Sequence, residues 1–285
     1  MNKRPAIFLL LASALFTQNA YPQTRNYKEN ENILRQIKKY SQAEKSLEEA
    51  PPTGESEKEN DEKDKKKKTE APDADSALLK TGLSLFNSGS YDGASKELNE
   101  LINSYPQSPY VDTARIWLGK IYTKKYEYAK AIQELSAIPE TSGEYPAARF
   151  DTAFCLKGMG DTLGAISCYQ IIAVRFPNHD LADKALLCSG ILFAEIGKGS
   201  EAASAFFLIT SRYSDRETVD DALFYLAMVF EKDPELRDIE RTRDIYKLFL
   251  KKSAEGEPHF KDSPLKEKAA YELKRIEEIY FKIKQ

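Results

Sequence analysis

The chain has 285 residues, of which 41% are hydrophobic and 31% charged. That length buries a sizeable core, while the high charge suits a large surface per residue, as stacked helices have. A formal net charge of −3 gives no general attraction to a polyanionic backbone, so nucleic acid is not an expected partner.

Met1-Asn2-Lys3-Arg4 is basic, and Ala6 to Phe16 is an apolar run too short to cross a bilayer as a helix. This is the layout of a secretory signal over residues 1–20, with cleavage expected after Ala20 and Ala14 as the alternative. An uncleaved anchor is the competing reading. No cysteine follows the run to carry a lipid. The expected address is therefore the periplasm, in solution or peripheral to the outer membrane.

Within residues 21–50, Ile33, Ile37, Tyr40 and Leu47 fall at heptad spacing, with Glu44 at one inward place. The spacing predicts a short amphipathic helix, either a coiled-coil-like seam for self-association or a lone helix. Residues 51–75 alternate Glu, Asp and Lys and end without a large apolar residue. Such a segment has nothing to offset the entropy of ordering, so it is expected to be a disordered, charged linker.

From Ser76 onward, small residues recur in pairs twelve apart: Gly82 with Ala94, Gly119 with Ala131, Ala153 with Ala165, Gly190 with Ala202. A pair of this kind marks two helices crossing too closely for larger side chains. Leu98 and Leu101, Leu135 and Ile138, Tyr169 and Ile172, Phe206 and Ile209 follow at four and seven residues, as the core face of each second helix. Pro106 and Pro177 close two second helices, and Pro139 closes one earlier. Between helices, Asn87-Ser88-Gly89-Ser90, Gly158-Met159-Gly160-Asp161 and Gly197-Lys198-Gly199-Ser200 supply turn glycines, with Ser or Asp to cap the next helix.

This layout resembles the tetratricopeptide repeat, with its small residue at place 8, alanine at 20, a large residue at 24 and proline at 32. The resemblance implies an all-α solenoid of about five helix–turn–helix repeats over residues 76–285. Unit starts judged from Gly82, Gly119, Ala153, Gly190 and Ala227 are 37, 34, 37 and 37 residues apart. In the fifth unit, Thr242, Tyr246 and Phe249 fit the second helix when the turn at Asp233-Pro234-Glu235 is three residues longer. After Ser263-Pro264, a capping helix over 264–284 is expected to turn Leu265, Ala269, Leu273, Ile276, Tyr280 and Ile283 to one side. A basic helix lying on a membrane is the other reading, opposed by Glu267, Glu272, Glu277 and Glu278.

Candidate chemistry is sparse. Cys155, Cys168 and Cys188 match no zinc spacing and read as small buried hydrophobes. His179 and His259 are about two repeats apart, neither with a visible partner. No catalytic, metal-binding or cofactor-binding constellation is expected, and the chain does not read as an enzyme. In the family resembled, places 5 and 9 of each first helix line an inner groove. Here they are Leu79 and Leu83, Ile116 and Lys120, Phe150 and Phe154, Leu187 and Ile191, Phe224 and Met228. All but Lys120 are apolar, which suits an amphipathic or apolar segment of a protein or peptide partner and lacks a clamp for a terminal carboxylate. The competing reading is that a tightly wound superhelix buries these residues itself.

The order of signal, helix, charged linker and repeats also resembles exported bacterial envelope proteins. One kind is the lipoprotein scaffold of the outer-membrane β-barrel assembly machine; another is the Tol–Pal-associated periplasmic coordinator. That resemblance implies an exported scaffold for outer-membrane assembly or for coordinating envelope and division. A peptidoglycan-binding or enzyme-associated accessory module is the alternative.

Overall fold

The structure, a computed structural model, describes residues 74–282. The expected signal over 1–20, the helix in 21–50 and the linker up to residue 73 lie outside the described residues. Helix α1 opens at Ala74, two residues ahead of the expected start at Ser76. Asp75 explains the earlier start. Its carboxylate accepts from the Ser76 amide at 2.7 Å and from the Ser108 hydroxyl at 2.6 Å, tying the first turn to the loop before the next repeat.

Among the described residues, ten helices make five hairpins. They are α1 (Ala74–Asn87) with α2 (Tyr91–Ser104), α3 (Val111–Lys124) with α4 (Tyr128–Ser136), and α5 (Tyr145–Gly158) with α6 (Thr162–Arg175). Then come α7 (Ala182–Glu195) with α8 (Gly199–Arg212), and α9 (Val219–Lys232) with α10 (Ile239–Ala254). An eleventh helix, α11 (Lys266–Ile276), runs into a π-helical turn over Glu277–Phe281. Among the described residues there is no strand. The chain is an all-α solenoid.

The paired small residues lie at the hairpin crossings, and the glycines show why. A Cβ on Gly82 would stand 2.9 Å from Leu98, one on Gly119 2.8 Å from Leu135, and one on Gly190 2.6 Å from the Phe206 ring. The large residue four places after each alanine thus lies directly against the glycine of the facing helix. Ala153 and Ala165 make the equivalent crossing with both residues fully buried. Ala165→Leu is expected to cost about 1 to 3 kcal/mol through overpacking. An unchanged urea midpoint would show that the two helices can separate there without penalty.

Turn geometry follows the expected glycines in three hairpins, and the second and fifth turns lack them. Gly89, Gly160 and Gly197 have positive φ, as the tight turn requires, while in the second hairpin Tyr126 takes that conformation at φ 61°. Capping is narrower than expected. Asp161 accepts from the Gly164 amide at 2.8 Å, but Ser90 makes no capping bond, and Ser200 lies inside α8. Gly199 opens that helix instead because the Asp233 carboxylate occupies the space a side chain would need. Where the fifth turn lengthens, Asp238 caps α10 through the Arg241 amide at 2.9 Å.

The C-terminal helix turns Leu265, Ala269, Leu273 and Ile276 to the core as expected and departs from that face at its end. Ala269 and Ile276 are buried against Phe224, Tyr246, Phe249 and Phe260, but the π-helical turn inserts one residue into the period. Phe281, five residues after Ile276, therefore meets this core, whereas Tyr280 is exposed. The Arg243 guanidinium lies 4.0 Å from the Phe281 ring and holds the turn against α10. Ile283 lies outside the described residues.

Candidate functional site

Helices of one repeat meet those of the next unequally. The first helices touch directly, α3 against α5 and α7 against α9, while the second helices α4, α6, α8 and α10 do not pair with one another to the same degree. At these two junctions the first helices lie on the inner side of the stack. The five first helices carry all ten residues expected to line a groove.

Of those ten residues two are buried, seven are half-buried and Phe154 alone is exposed. Ile116 is 3% exposed and packs with Leu135, Ile138, Ala147 and Ala148, because the small residues opening α5 let that helix close over it. Phe224 is 1% exposed, tilted against Tyr246 at 5.6 Å, with the Lys268 ammonium of α11 5.1 Å from its ring. Met228 is half-buried against the same core, so the C-terminal helix fills this end of the inner face. Leu79 packs against the core shared by the first two repeats, and Leu83 beside it is half-buried. Lys120 rests its ammonium 4.6 Å over the Trp117 ring.

The open stretch lies in the middle. Phe154 is 54% exposed, Phe150 stands edge-on to Tyr169 at 5.0 Å, and Leu187 and Ile191 of α7 are half-buried. Ile116 and Phe224 are thus core residues with no surface to offer a partner. The self-buried reading describes those two positions, and Phe154 is the residue of the ten that stays exposed.

Sequence reasoning missed the residues that follow each place 5, namely Trp117, Asp151, Cys188 and Tyr225. A helix advances 100° per residue, so these flank the inner stripe, and their mixed chemistry hid the pattern. Asp151 is the informative one. Its Oδ2 is shielded from solvent and has no hydrogen-bond partner. Burial pushes its carboxyl above the ordinary range, and the Lys120 charge offsets this only in part. Asp221 on α9 is raised too, by burial and by the neighbouring Asp220. The inner face is apolar, with carboxylates whose desolvation is offset in part at most.

The remaining candidates are structural. Burial pushes the Cys155, Cys168 and Cys188 thiols up, leaving them protonated and poor nucleophiles. Burial likewise raises the Tyr169 phenol, which Cys188 faces. Both histidines have partners after all. The Leu181 amide donates to His179 Nδ1 at 3.1 Å, and His259 Nε2 lies 3.0 Å from the Asp215 carbonyl, bracing loops between repeats. Among the described residues no group of three or more His, Cys, Asp or Glu is placed to hold a metal, and no helix is long and apolar enough to cross a membrane.

An all-helical repeat stack with an apolar inner stripe defines a protein-interaction scaffold of the tetratricopeptide class. The chain belongs to the family described as the tetratricopeptide repeat protein 21 ARM repeat, whose model matches residues 30–172. No curated protein matches it. Among solved structures, the MamA protein is similar at a TM-score of 0.51 and 18% identity, over 65% of this chain and 96% of MamA. A tetratricopeptide repeat protein from Parabacteroides merdae follows at 0.46 and 15%, over 74% of this chain and 94% of that one. A Rap conjugation gene regulator of plasmid pLS20, solved with the Phr* peptide, gives 0.42 and 14%, over 96% and 85%.

Proposed function

We propose that the chain is an exported scaffold of the bacterial cell envelope that holds a protein segment on its inner face, around Phe154. The exposed Phe154 ring carries this reading. A soluble helix has no folding reason to place a phenylalanine 54% exposed beside half-buried Phe150, Leu187 and Ile191, and such rings commonly anchor partners. Export is supported by the basic start and the short apolar run from Ala6 to Phe16. The segments bound serve outer-membrane assembly or the coordination of envelope and division.

Phe154→Ala tests the reading. Because the ring is half in solvent, the thermal midpoint should move little. Capture of partners from envelope extracts should fall by roughly thirtyfold, the equivalent of about 2 kcal/mol. Equal capture by the folded variant would move the binding surface elsewhere. For the address, an N-terminus at Tyr21 in a periplasmic fraction is expected; an intact Met1 in the cytosol would count against export.

A further inference from the structure

We propose that the segment held in the groove presents an arginine to Asp151, beside an apolar side chain that lies on Phe154. This deepens the groove reading and rests on it. Asp151 sits on α5 between Phe150 and Phe154, one turn before Cys155. The ammonium of Lys120, whose charge reaches Asp151 from the preceding repeat, lies 4.6 Å over the Trp117 ring, and among the described residues Asp151 Oδ2 has no hydrogen-bond partner while shielded from solvent. Two other shielded carboxylates of this fold are answered. Asp183 takes Arg216 and Thr218, and Glu231 takes Arg275.

A carboxylate whose desolvation the Lys120 charge offsets only in part favours a further cation that would complete it. Its surroundings select further. Phe150 and Phe154 lie one residue before and three after it on α5, and a guanidinium is flat, weakly hydrated and able to stack on a ring while donating to a carboxylate in its plane. An ammonium is more strongly hydrated and gains less from such a place. The neighbouring exposed ring then asks for an apolar residue one helical turn from the arginine, the spacing that separates Asp151 from Phe154 on α5. The occupant is thus a basic amphipathic segment of another protein.

The probes are fluorescent 15-residue amphipathic peptides that differ at one polar position: Leu/Arg, Leu/Lys, Leu/Gln and Leu/Glu versions. Binding to the full chain is read by anisotropy at 0.15 M salt, where long-range attraction to the net charge is largely screened. The Leu/Arg peptide should bind about tenfold more tightly than Leu/Gln, with Leu/Lys between them and Leu/Glu weakest. Asp151→Asn should abolish the preference without weakening Leu/Gln. Its thermal midpoint should stay level or rise, since a desolvated charge has been removed; loss of a merely structural carboxylate would lower it. Phe154→Ala should weaken all four peptides alike.

If Phe154→Ala weakens binding but the wild type shows no arginine preference, or Asp151→Asn retains one, the Asp151 assignment is overturned and the groove stands. If peptides bind but Phe154→Ala has no effect, the groove reading itself is overturned. Absence of binding by every peptide at millimolar concentration overturns both.

Discussion

Phe206→Ala should destabilise the solenoid by about 3 to 5 kcal/mol, the range for removing a fully buried aromatic ring. Phe206 has no exposed surface, fills the space over Gly190 of α7, and stacks on Tyr225 of α9 at 5.7 Å and 20°. It therefore belongs to two interfaces, one within its hairpin and one with the next repeat. Gly190 has no side chain to move into the cavity, so little of the loss is recovered by collapse. In a stacked array each repeat is stabilised by its neighbours, so a defect at this junction weakens both sides. Urea unfolding followed by circular dichroism measures the loss. Phe207→Ala is the control: that ring is 40% exposed, and its removal should cost under about 1 kcal/mol. Similar losses for the two would mean that the glycine-and-ring crossing does not hold the hairpin together.

The same crossing shows what the sequence could disclose. A glycine or alanine twelve residues before another small residue is a local signal, because both partners belong to one hairpin joined by a short turn. Every pair read that way lies at a helix crossing, and the longer fifth turn carries Thr242, Tyr246 and Phe249 into the core as expected. The resemblance to tetratricopeptide repeats was legible for the same reason.

Exposure on the inner face was not legible, since it is decided by the next repeat. Ile116 and Phe154 belong to the same inner stripe, at places 5 and 9 of successive units. Ala147 and Ala148 allow α5 to cover the first, while among the described residues the second stays 54% exposed. Phe224 is hidden by a helix more than forty residues further along the chain. The bare carboxylate of Asp151 was hidden too, because an aspartate between two phenylalanines on a helix ordinarily reads as a solvated flank. The π-helical turn escaped as well: a 3.6-residue period points to Tyr280, and an inserted residue delivers Phe281.

Arg216→Met should cost more than Asp183→Ala, although the two side chains form one ion pair. Arg216 Nη1 donates to Asp183 Oδ1 at 2.9 Å and to the His179 carbonyl at 3.0 Å, and the Thr218 hydroxyl donates to Asp183 Oδ2 at 2.9 Å. Together they fasten the start of α7 to the loop before α9, alongside the Tyr213 hydroxyl, which donates to the Pro177 carbonyl at 2.7 Å. Burial of the pair is lopsided: the Asp183 side chain is 1% exposed and that of Arg216 26%. Removing the arginine leaves a carboxylate sealed in the interior with a single hydroxyl for company, which should cost about 3 to 5 kcal/mol. Removing the aspartate leaves a guanidinium that still reaches water, the His179 carbonyl and the Tyr213 ring at 5.2 Å. That loss should be about 1 to 3 kcal/mol, closer to a single charged hydrogen bond. The double variant should fall below the sum of the two, because the stranded charge disappears with its partner. Chemical denaturation of the three variants decides it. Equal losses for the single variants would show that the Asp183 carboxylate finds water once Arg216 is gone, and that the junction between the fourth and fifth repeats is looser than this geometry requires.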